Sequence, residues 1–320
     1  MRHLGCGRST DEEHGLLGCH LHLRSGRPCS RSRCCRACLE VGMSSLTLVG
    51  SHASTAMSPA LWTRAFEIAE VSSSYDAWEV ADVADLPDVE SALRGGRTDA
   101  ANVTMPWKHW AATVADEAHP DVTVSGVANL LFLRSGALFA MNTDIAAVRA
   151  ATSGRTFGSA LLLGAGGAAH AAAFALQGRI DRLVISDVDR SSAAGLVAEL
   201  DGYNGSASVV DWSDRAVDLD SYDLVINATP IGRDGSEDQL AWGSGELAPS
   251  ATVYDFVYAD TRNAAEAYTA DRGIDLIDGW THLFHQADAM VRPLGLPERM
   301  SDALRRSIRE ICPASAGINR

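Results

Sequence analysis

Lys108 is the only lysine of this sequence, in which arginine supplies every other member of the 27 Lys and Arg residues. Arginine stays protonated at neutral pH, whereas a partly desolvated lysine can take up and release a proton. Lys108 ends the stretch NVTMPWK (102–108), which follows a predicted strand. We interpret Lys108 as a candidate acid/base group, with a chance surface lysine as the alternative.

The stretch GAGGAA (164–169) is a G-x-G-x-x-A turn in the setting that dinucleotide binding requires. A short buried strand precedes it, an alanine-rich helix follows it, and a second strand ends at Asp187, 23 residues after Gly164. Such glycines let the backbone approach a pyrophosphate at the helix N-terminus, and the acid binds the ribose. We predict a dinucleotide cofactor; the alternative is a glycine-rich turn in a cofactor-free βαβ unit.

The end of that second strand, Asp187-Val188, bears on which nicotinamide cofactor binds. An NADP enzyme would place a cation here for the 2′-phosphate, whereas a carboxylate repels that phosphate and accepts hydrogen bonds from the ribose hydroxyls of NAD. Arg190 is close enough in sequence to keep NADP open. The sequence therefore favours NAD over NADP.

Alternating strands and helices must position these stretches, and the alternation predicts an α/β protein with parallel strands. Strands are predicted at 46–49, 75–80, 99–103, 127–133, 137–141, 159–163, 182–186, 208–210, 224–226, 252–256 and 274–277. Helices are predicted at 58–68, 86–93, 145–151, 171–176, 262–270 and 298–311, and from residues 106 and 279 onward. Ser58 is expected as an N-cap with Pro59 at the first helical position. Lys108 falls in the first turn of the helix expected from Pro106, near the end of a strand, where ligands bind in open α/β sheets.

The break at 152–155 predicts two domains, for which 320 residues suffice. We expect a substrate-binding catalytic domain at 43–150 and an NAD(P)-binding Rossmann domain at 151–282. The last helices, in 283–320, are expected to return and pack on the first domain.

The composition of the chain limits the kinds of molecule that we expect it to bind. A net charge of −14 argues against nucleic acid and anionic membranes, and no apolar run approaches the roughly 18–20 residues that cross a bilayer. Six of the seven cysteines lie in the first 38 residues, so the body of the chain has no disulfide framework, as expected for a cytoplasmic protein. We expect a small-molecule substrate; a homodimer stays open.

Residues 1–42 are rich in Arg, Cys, Gly and Ser and show neither helical nor strand periodicity. Without an apolar segment they do not form a secretory signal. We expect a disordered leader or a true start at Met43. A zinc site using the Cys35-x-x-Cys38 pair is an alternative, but one such pair is a weak signal, and we predict no metal.

Seven stretches, taken in order, resemble the shikimate dehydrogenase family, including its quinate/shikimate branch. They are NVTMPWK (102–108), GVANL (126–130), NTD (142–144), GAGGAA (164–169), NATPIG (227–232), DFVY (255–258) and the helix running from Gly279 to Gln286. Each is short, but their order and spacing are specific. The resemblance covers about residues 46–312.

This resemblance implies a pyridine-nucleotide oxidoreductase of the shikimate pathway, which interconverts a ring hydroxyl of shikimate or quinate with the ketone. It implies that Lys108 is the catalytic acid/base and Asp144 its partner. The substrate residues that it implies are Ser58, Thr104, Asn129, Asp144, Tyr258 and Gln286. The cofactor residues that it implies are Gly164, Ala165, Gly166, Gly167, Ala168, Asp187, Thr229 and Gly279.

Each of these assignments has a structural alternative. Asp144 could be the N-cap of the helix that follows it, a common position for Asp after a strand. Asn129 and Gln286 could serve only as structural hydrogen-bonding groups, as many buried amides do.

Two departures from the family pattern concern the substrate. The family's Ser-x-Ser-Pro turn, whose serines hold the substrate carboxylate, reads Ala56-Met57-Ser58-Pro59 here, and the His-Asn pair after it reads Trp62-Thr63. The missing hydroxyl should weaken carboxylate binding by about 1–3 kcal/mol. We therefore expect hydride chemistry on a cyclic hydroxy acid, of which shikimate need not be the best substrate.

Two other functions stay open. One is a catalytically weak metabolite or nucleotide sensor on the same fold, which the altered carboxylate site favours and the intact Lys108 and Asp144 disfavour. The other is a dehydrogenase of a different cyclic substrate, such as an aminoshikimate.

At the cofactor position, the acid Asp187 matches the NAD-using quinate/shikimate branch, whereas NADP-specific members carry Asn-Arg-Thr/Ser.

Overall fold

The structure is a computed structural model that describes residues 45–200, 205–233, 235–258 and 262–312. The leader and its zinc alternative lie outside the described residues. Across these ranges no helix has the length and apolar character needed to cross a membrane. Nor does this part of the chain group three His, Cys, Asp or Glu side chains in a way that could hold a metal ion.

The first sheet is mixed and has the strand order β2-β1-β3-β5-β6-β4. Its strands are β1 (Ser45–Gly50), β2 (Ser74–Glu79), β3 (Ala100–Val103), β4 (Glu117–Ala118), β5 (Leu130–Arg134) and β6 (Ala137–Met141). β1 pairs in parallel with β2 and β3, whereas β5 is antiparallel to β3 and β6. Ser135 and Gly136 both have positive φ in the tight turn that joins β5 to β6.

The second sheet is parallel throughout and has the order β12-β11-β10-β7-β8-β9. Its strands are β7 (Phe157–Leu163), β8 (Ile180–Ser186), β9 (Ser206–Val209), β10 (Leu224–Asn227), β11 (Thr252–Asp255) and β12 (Asp275–Ile277). The chain moves outward from β7 to β9 and then returns to β10 on the other side of β7. The gap between the ends of β7 and β10 is therefore the switch point at which ligands bind in such sheets.

Ten helices cover the two sheets in the described residues. They are α1 (Ser58–Ala69), α2 (Leu86–Arg94), α3 (Lys108–Val114), α4 (Pro120–Ser125), α5 (Thr143–Ala151), α6 (Gly167–Ala175), α7 (Arg190–Glu199), α8 (Ala264–Arg272), α9 (Gly279–Val291) and α10 (Arg299–Ile311). The predicted α/β class is confirmed.

The last two helices pack against the first sheet's layer. Leu61 and Trp62 of α1 share one apolar core with Leu283 of α9 and Leu304 of α10. The Ser307 hydroxyl donates to the Leu61 carbonyl oxygen at 2.8 Å. The predicted return of the C-terminal helices to the first layer is confirmed, and it brings α9 over the carboxyl ends of the first sheet's strands.

Two expectations about helix starts are wrong. Ser58 is the first residue of α1 and makes no cap; Met57 precedes it, and the buried Ser58 hydroxyl lies beside that of Tyr75 instead. Pro106 does not begin α3, which starts at Lys108 after the N-cap Trp107. Lys108 therefore occupies the very first helical position.

The sequence analysis did not predict three elements, β4, α4 and α7. β4 has two residues and α4 has six, too few for a hydrophobic period to show. α7 contains two serines and a glycine, which are weaker helix formers than alanine or leucine.

Candidate active site

A cavity of about 350 Å³ lies where residues following the strands of both sheets meet. From the first sheet's layer it receives Thr104 and Lys108. From the second it receives residues 166–168, at the start of α6, and Thr229, just after β10. The cavity therefore includes the switch point and the candidate acid/base group together.

Lys108 and Asp144 form a close ion pair in this cavity. Lys108 Nζ donates to Asp144 Oδ2 at 2.5 Å, and the Asp144 residue is only 3% exposed. The Lys108 stem lies along the start of α6, since a Cβ on Gly167 would be 3.0 Å from Lys108 Cδ. Lys108 therefore sits between the carboxylate and the glycine turn.

Asp144 reaches Lys108 because a neighbour caps its helix. The Asn142 side chain accepts hydrogen bonds from the backbone N–H groups of Asp144 and Ile145, both at 3.1 Å. The alternative that Asp144 is the N-cap is wrong. Asn142 satisfies the helix end, which leaves the Asp144 carboxylate available to the cavity.

The carboxylate of Asp144 is held in its charged form. Burial raises its pKa, but the Lys108 ammonium and the contact with His282 outweigh burial and hold the pKa well below the usual range. Gln286 Nε2 also donates to Asp144 Oδ1 at 2.9 Å. The site thus contains a buried anion with donors on both oxygens.

The glycine turn fits tightly against the end of β10. Gly164 has a φ of 101°, and a Cβ there would lie 2.9 Å from the Ala228 carbonyl oxygen. Gly279, at the start of α9, approaches the chain after β11 as closely, because a Cβ there would lie 2.3 Å from the Val257 carbonyl oxygen. Both positions therefore require glycine, and the turn leaves open backbone at the N-terminus of α6, as a pyrophosphate needs.

The carboxylate of Asp187 braces this turn at the end of β8. Its Oδ2 accepts from Ala165 N at 2.7 Å, and its Oδ1 accepts from Asp189 N at 2.8 Å. Arg190, the cation nearby, is ion-paired with Asp211. The carboxyl end of β8 therefore carries a carboxylate, next to the exposed Val188.

A second, smaller cavity of about 70 Å³ adjoins the first and shares Thr104, Lys108, Tyr258 and Gln286 with it. Ser58 lines this smaller cavity, as does the half-buried Ala56. Burial raises the pKa of Tyr258, so its hydroxyl stays protonated. This pocket is polar on several sides but has a methyl group at position 56.

Asn129 is fully buried, and the NH2 group of its side chain is unpaired. Its Oδ1 accepts from Thr143 N at 2.7 Å and from the Thr143 hydroxyl at 3.1 Å. Its Nδ2 has no hydrogen-bond partner in the part of the chain that the structure describes. An unsatisfied buried N–H group is costly, and a bound hydroxyl or carbonyl would satisfy it.

The structure brings most of the predicted site residues together. The larger cavity is lined by Thr104, Lys108, Asp144, Gly166, Gly167, Ala168, Thr229, Tyr258 and Gln286. Ser58 lines only the smaller cavity, and the residues that line neither are Asn129, Gly164, Ala165, Asp187 and Gly279. Gly164 and Ala165 instead belong to the glycine turn itself, and Asp187 accepts a hydrogen bond from its backbone.

Sequence reasoning missed three polar residues of the larger cavity, His109, Arg233 and His282. His282 lies four residues before Gln286 and so on the same face of α9, a spacing that could have indicated it. Arg233 directly follows NATPIG (227–232), and its positive charge lowers the pKa of Tyr258, although burial of that phenol has the larger, opposite effect.

This arrangement can move a proton at a hydroxyl group beside a nicotinamide. The ammonium of Lys108 and the carboxylate of Asp144 form the kind of pair that can exchange a proton with a bound hydroxyl group. The backbone at the start of α6 can receive a pyrophosphate in the same cavity.

Comparison with known proteins gives the family context. A family model described as the shikimate dehydrogenase substrate binding domain matches residues 48–131. The chain is 33% identical over 278 residues to the shikimate dehydrogenase (NADP(+)) of Salinibacter ruber, a match that covers 81% of this chain and 96% of that protein.

Solved structures agree with this match. Shikimate 5-dehydrogenase from Thermus thermophilus, in complex with NADP(H) and shikimate, has a TM-score of 0.67 at 26% identity. The match covers 83% of this chain and 100% of that one. Shikimate 5-dehydrogenase from Listeria monocytogenes, in complex with shikimate and NAD, has a TM-score of 0.74 at 21% identity, covering 82% of this chain and 96% of that one. The second likeness is one of fold.

Proposed function

Because the chain belongs to the shikimate dehydrogenase family, we propose that it interconverts a ring hydroxyl of shikimate, or of quinate, with the corresponding ketone, using a nicotinamide cofactor. One observation carries this proposal. The buried Lys108–Asp144 pair and the glycine turn at the start of α6 line the same cavity.

The pair would handle the proton of the reacting hydroxyl. Lys108 takes that proton when the alcohol is oxidised and returns it when the ketone is reduced. Asp144 stays anionic and stabilises the ammonium that forms. A nicotinamide, when bound, supplies or accepts the hydride, and the residues of the glycine turn hold its pyrophosphate.

The polar groups around the pair would orient the ring. Thr104, Tyr258 and Gln286 line both cavities, so they can reach a ligand that extends from one to the other. The unpaired Nδ2 of Asn129 supports a role in donating a hydrogen bond to a ring hydroxyl oxygen. Such donors fix which hydroxyl faces Lys108.

The carboxylate of the substrate would bind in the smaller cavity, at Ser58. Ala56 removes a second hydroxyl from that cavity, which supports weaker binding of the shikimate carboxylate than two serines would give. Quinate or another cyclic hydroxy acid, such as an aminoshikimate, is therefore an alternative substrate.

We propose NAD as the preferred cofactor, although the Salinibacter relative is named as an NADP(+) enzyme. The support is electrostatic: Asp187 lies at the carboxyl end of β8 beside the glycine turn, and Arg190 is ion-paired with Asp211. A 2′-phosphate would meet a carboxylate there without a free cation to offset it. The homodimer and the cytoplasmic location stay predictions.

The test is an absorbance assay at 340 nm on the full chain, with shikimate and quinate each offered with NAD and with NADP. We expect turnover that falls by about 100-fold to 10,000-fold in Lys108→Met, which keeps the stem and removes the acid/base group. Arg97→Met, an exposed cation far from the cavity, is the matched control and should keep full activity.

The pattern of turnover separates the alternatives. Activity with neither substrate, in protein that still binds NAD, would reject the proposal and favour a sensor or a different cyclic substrate. Activity that survives Lys108→Met would reject the role of the lysine.

A further inference from the structure

His282 connects Asp144 to a second buried side chain, Tyr254 of β11. Its Nε2 lies 3.4 Å from Asp144 Oδ1, and its Nδ1 lies 2.8 Å from the Tyr254 hydroxyl oxygen. His282 is 6% exposed and Tyr254 is 0% exposed. Residues of three elements, α5, α9 and β11, thus form a continuous polar chain that ends at Lys108.

If the His282 imidazole is neutral, this chain of groups permits one arrangement of hydrogens. Asp144 is anionic and can only accept, so the Nε2 atom that faces it must carry a hydrogen. A neutral imidazole then has its lone pair on Nδ1, where it accepts from the Tyr254 hydroxyl. Burial raises the pKa of Tyr254 well above its ordinary value, so that hydroxyl keeps its proton.

Within the described residues, the Tyr254 hydroxyl has a single hydrogen-bond partner, His282 Nδ1, so this hydroxyl contacts the histidine alone. Three donors then share Asp144: Lys108 contacts Oδ2, and Gln286 and His282 contact Oδ1. The other ionisable groups nearby are His285 on the same helix, Asp278, whose charge acts on Tyr254, and Tyr258, on which the charge of Asp144 acts. None of the three makes a hydrogen bond to Asp144 among the described contacts.

We propose that His282 is a positioning residue, which holds the Asp144 carboxylate with Oδ2 turned to Lys108, and that Tyr254 holds His282 in the tautomer that can do so. This inference rests on the proposed function, since it assumes that the Lys108–Asp144 pair exchanges the substrate proton. It adds a second pair of residues, behind the catalytic pair, on which the geometry of the reaction depends.

The kinetic test compares His282→Leu, which removes the donor, with His282→Gln, whose side-chain amide can present a hydrogen to Asp144. We expect kcat to fall about tenfold in His282→Leu, with KM for the cyclic acid within about twofold, because the loss concerns the reacting pair rather than substrate contacts. His282→Gln should recover most of kcat. Tyr254→Phe should show a smaller loss, and His285→Leu, on the same helix, should behave as the natural chain does.

The pH profile adds a readout that a merely structural role would not move. Asp144 loses a donor in His282→Leu, so its pKa rises, and the acid limb of kcat should move up by about one pH unit. The limb should stay in place in His282→Gln and His285→Leu.

A second measurement does not depend on turnover. Because Lys108 is the only lysine, protein labelled with 13C at lysine Cε shows one side-chain signal, which reports on its partner. Titrated downward from pH 8, this signal should change at higher pH in His282→Leu than in the natural chain, whereas His282→Gln should match the natural chain.

The outcomes are distinct. If the natural chain oxidises no cyclic acid, the proposed function fails, and the lysine signal still decides whether His282 controls the charge of Asp144. The positioning role is overturned if His282→Leu folds and leaves both the lysine titration and any measurable acid limb unchanged. It is also overturned if His282→Gln, correctly folded, is as impaired as His282→Leu.

Discussion

Lys108 and Asp144 are 36 positions apart in the sequence and 2.5 Å apart in the structure. Neither charge would be stable alone in a site this buried, because an unpaired ion loses its hydration without compensation. Burial raises the pKa of Asp144, but the Lys108 ammonium and the contact with His282 outweigh burial, and Gln286 supplies a further hydrogen bond to the carboxylate. In the proposed reaction, this pair exchanges a proton with the substrate hydroxyl.

The smaller cavity differs from the family's Ser-x-Ser-Pro pattern at Ala56, which lacks the hydroxyl oxygen of a serine. Ala56→Ser should restore a hydroxyl beside Ser58 in the smaller cavity. We expect KM for shikimate to fall about fivefold to tenfold with kcat unchanged, since one hydrogen bond to a charged group contributes about 1.5–3 kcal/mol and part of that offsets desolvation.

The control for this prediction is Ala60→Ser, the same change on the exposed side of α1. It should leave KM as it is. An unchanged KM in Ala56→Ser as well would show that the substrate carboxylate binds elsewhere.

The ends of β7 and β8 carry the cofactor side of the site. β7 ends in the turn that Gly164 makes possible, and β8 ends in the carboxylate that braces it. Because both strands are parallel neighbours, their carboxyl ends reach the same edge of the sheet. The register of this pair therefore decides which side chain meets the ribose.

The change Asp187→Asn with Val188→Arg should reverse the cofactor preference. Asn keeps an oxygen for Ala165 N but removes the negative charge, and Arg adds a cation for the 2′-phosphate. We expect the ratio of kcat/KM with NADP to that with NAD to rise at least about 100-fold, or about 2.8 kcal/mol.

Asp181→Asn removes the same charge at the opposite end of β8 and should not alter that ratio. If the natural chain already prefers NADP strongly, the electrostatic argument from Asp187 is wrong.

On the scale of the whole molecule, the charge of Asp144 contributes to the free energy of unfolding. The pKa of Asp144 is lowered in the folded chain, to a value below its ordinary one of about 4 in the unfolded chain. An acid with a lowered folded pKa contributes stability that is fully present above the unfolded pKa and is lost as pH falls through the folded pKa.

Asp144→Asn should therefore reduce the free energy of unfolding by about 3 kcal/mol near pH 7, because it leaves Lys108 unpaired in a buried site. The difference from the natural chain should stay constant between pH 5 and 8 and shrink below about pH 4. Urea unfolding at several pH values measures it.

Glu117→Gln is the matched control, because it breaks the ion pair between Glu117 and Arg134, whose side chains are 54% and 52% exposed. Exposed pairs contribute about 1 kcal/mol or less. An equal effect of the two changes would mean that the Lys108–Asp144 pair is not buried in solution.

The sequence by itself determined the class of fold, the family and the candidate acid/base group. These depend on local patterns: the strand, glycine turn, helix and terminal acid of 159–187 can be read in order, and the single lysine needs no partner to be noticed. Most element ends also follow from such patterns.

Only the tertiary structure decided which neighbouring residue does which task. Asn142 and Asp144 are both plausible helix caps in sequence, and packing assigns the cap to Asn142 and the cavity to Asp144. The contact of His282 with Asp144 joins positions 138 residues apart, through the return of α9. No local pattern specifies such a contact, because it depends on how separate elements pack and not on the propensity of any one of them.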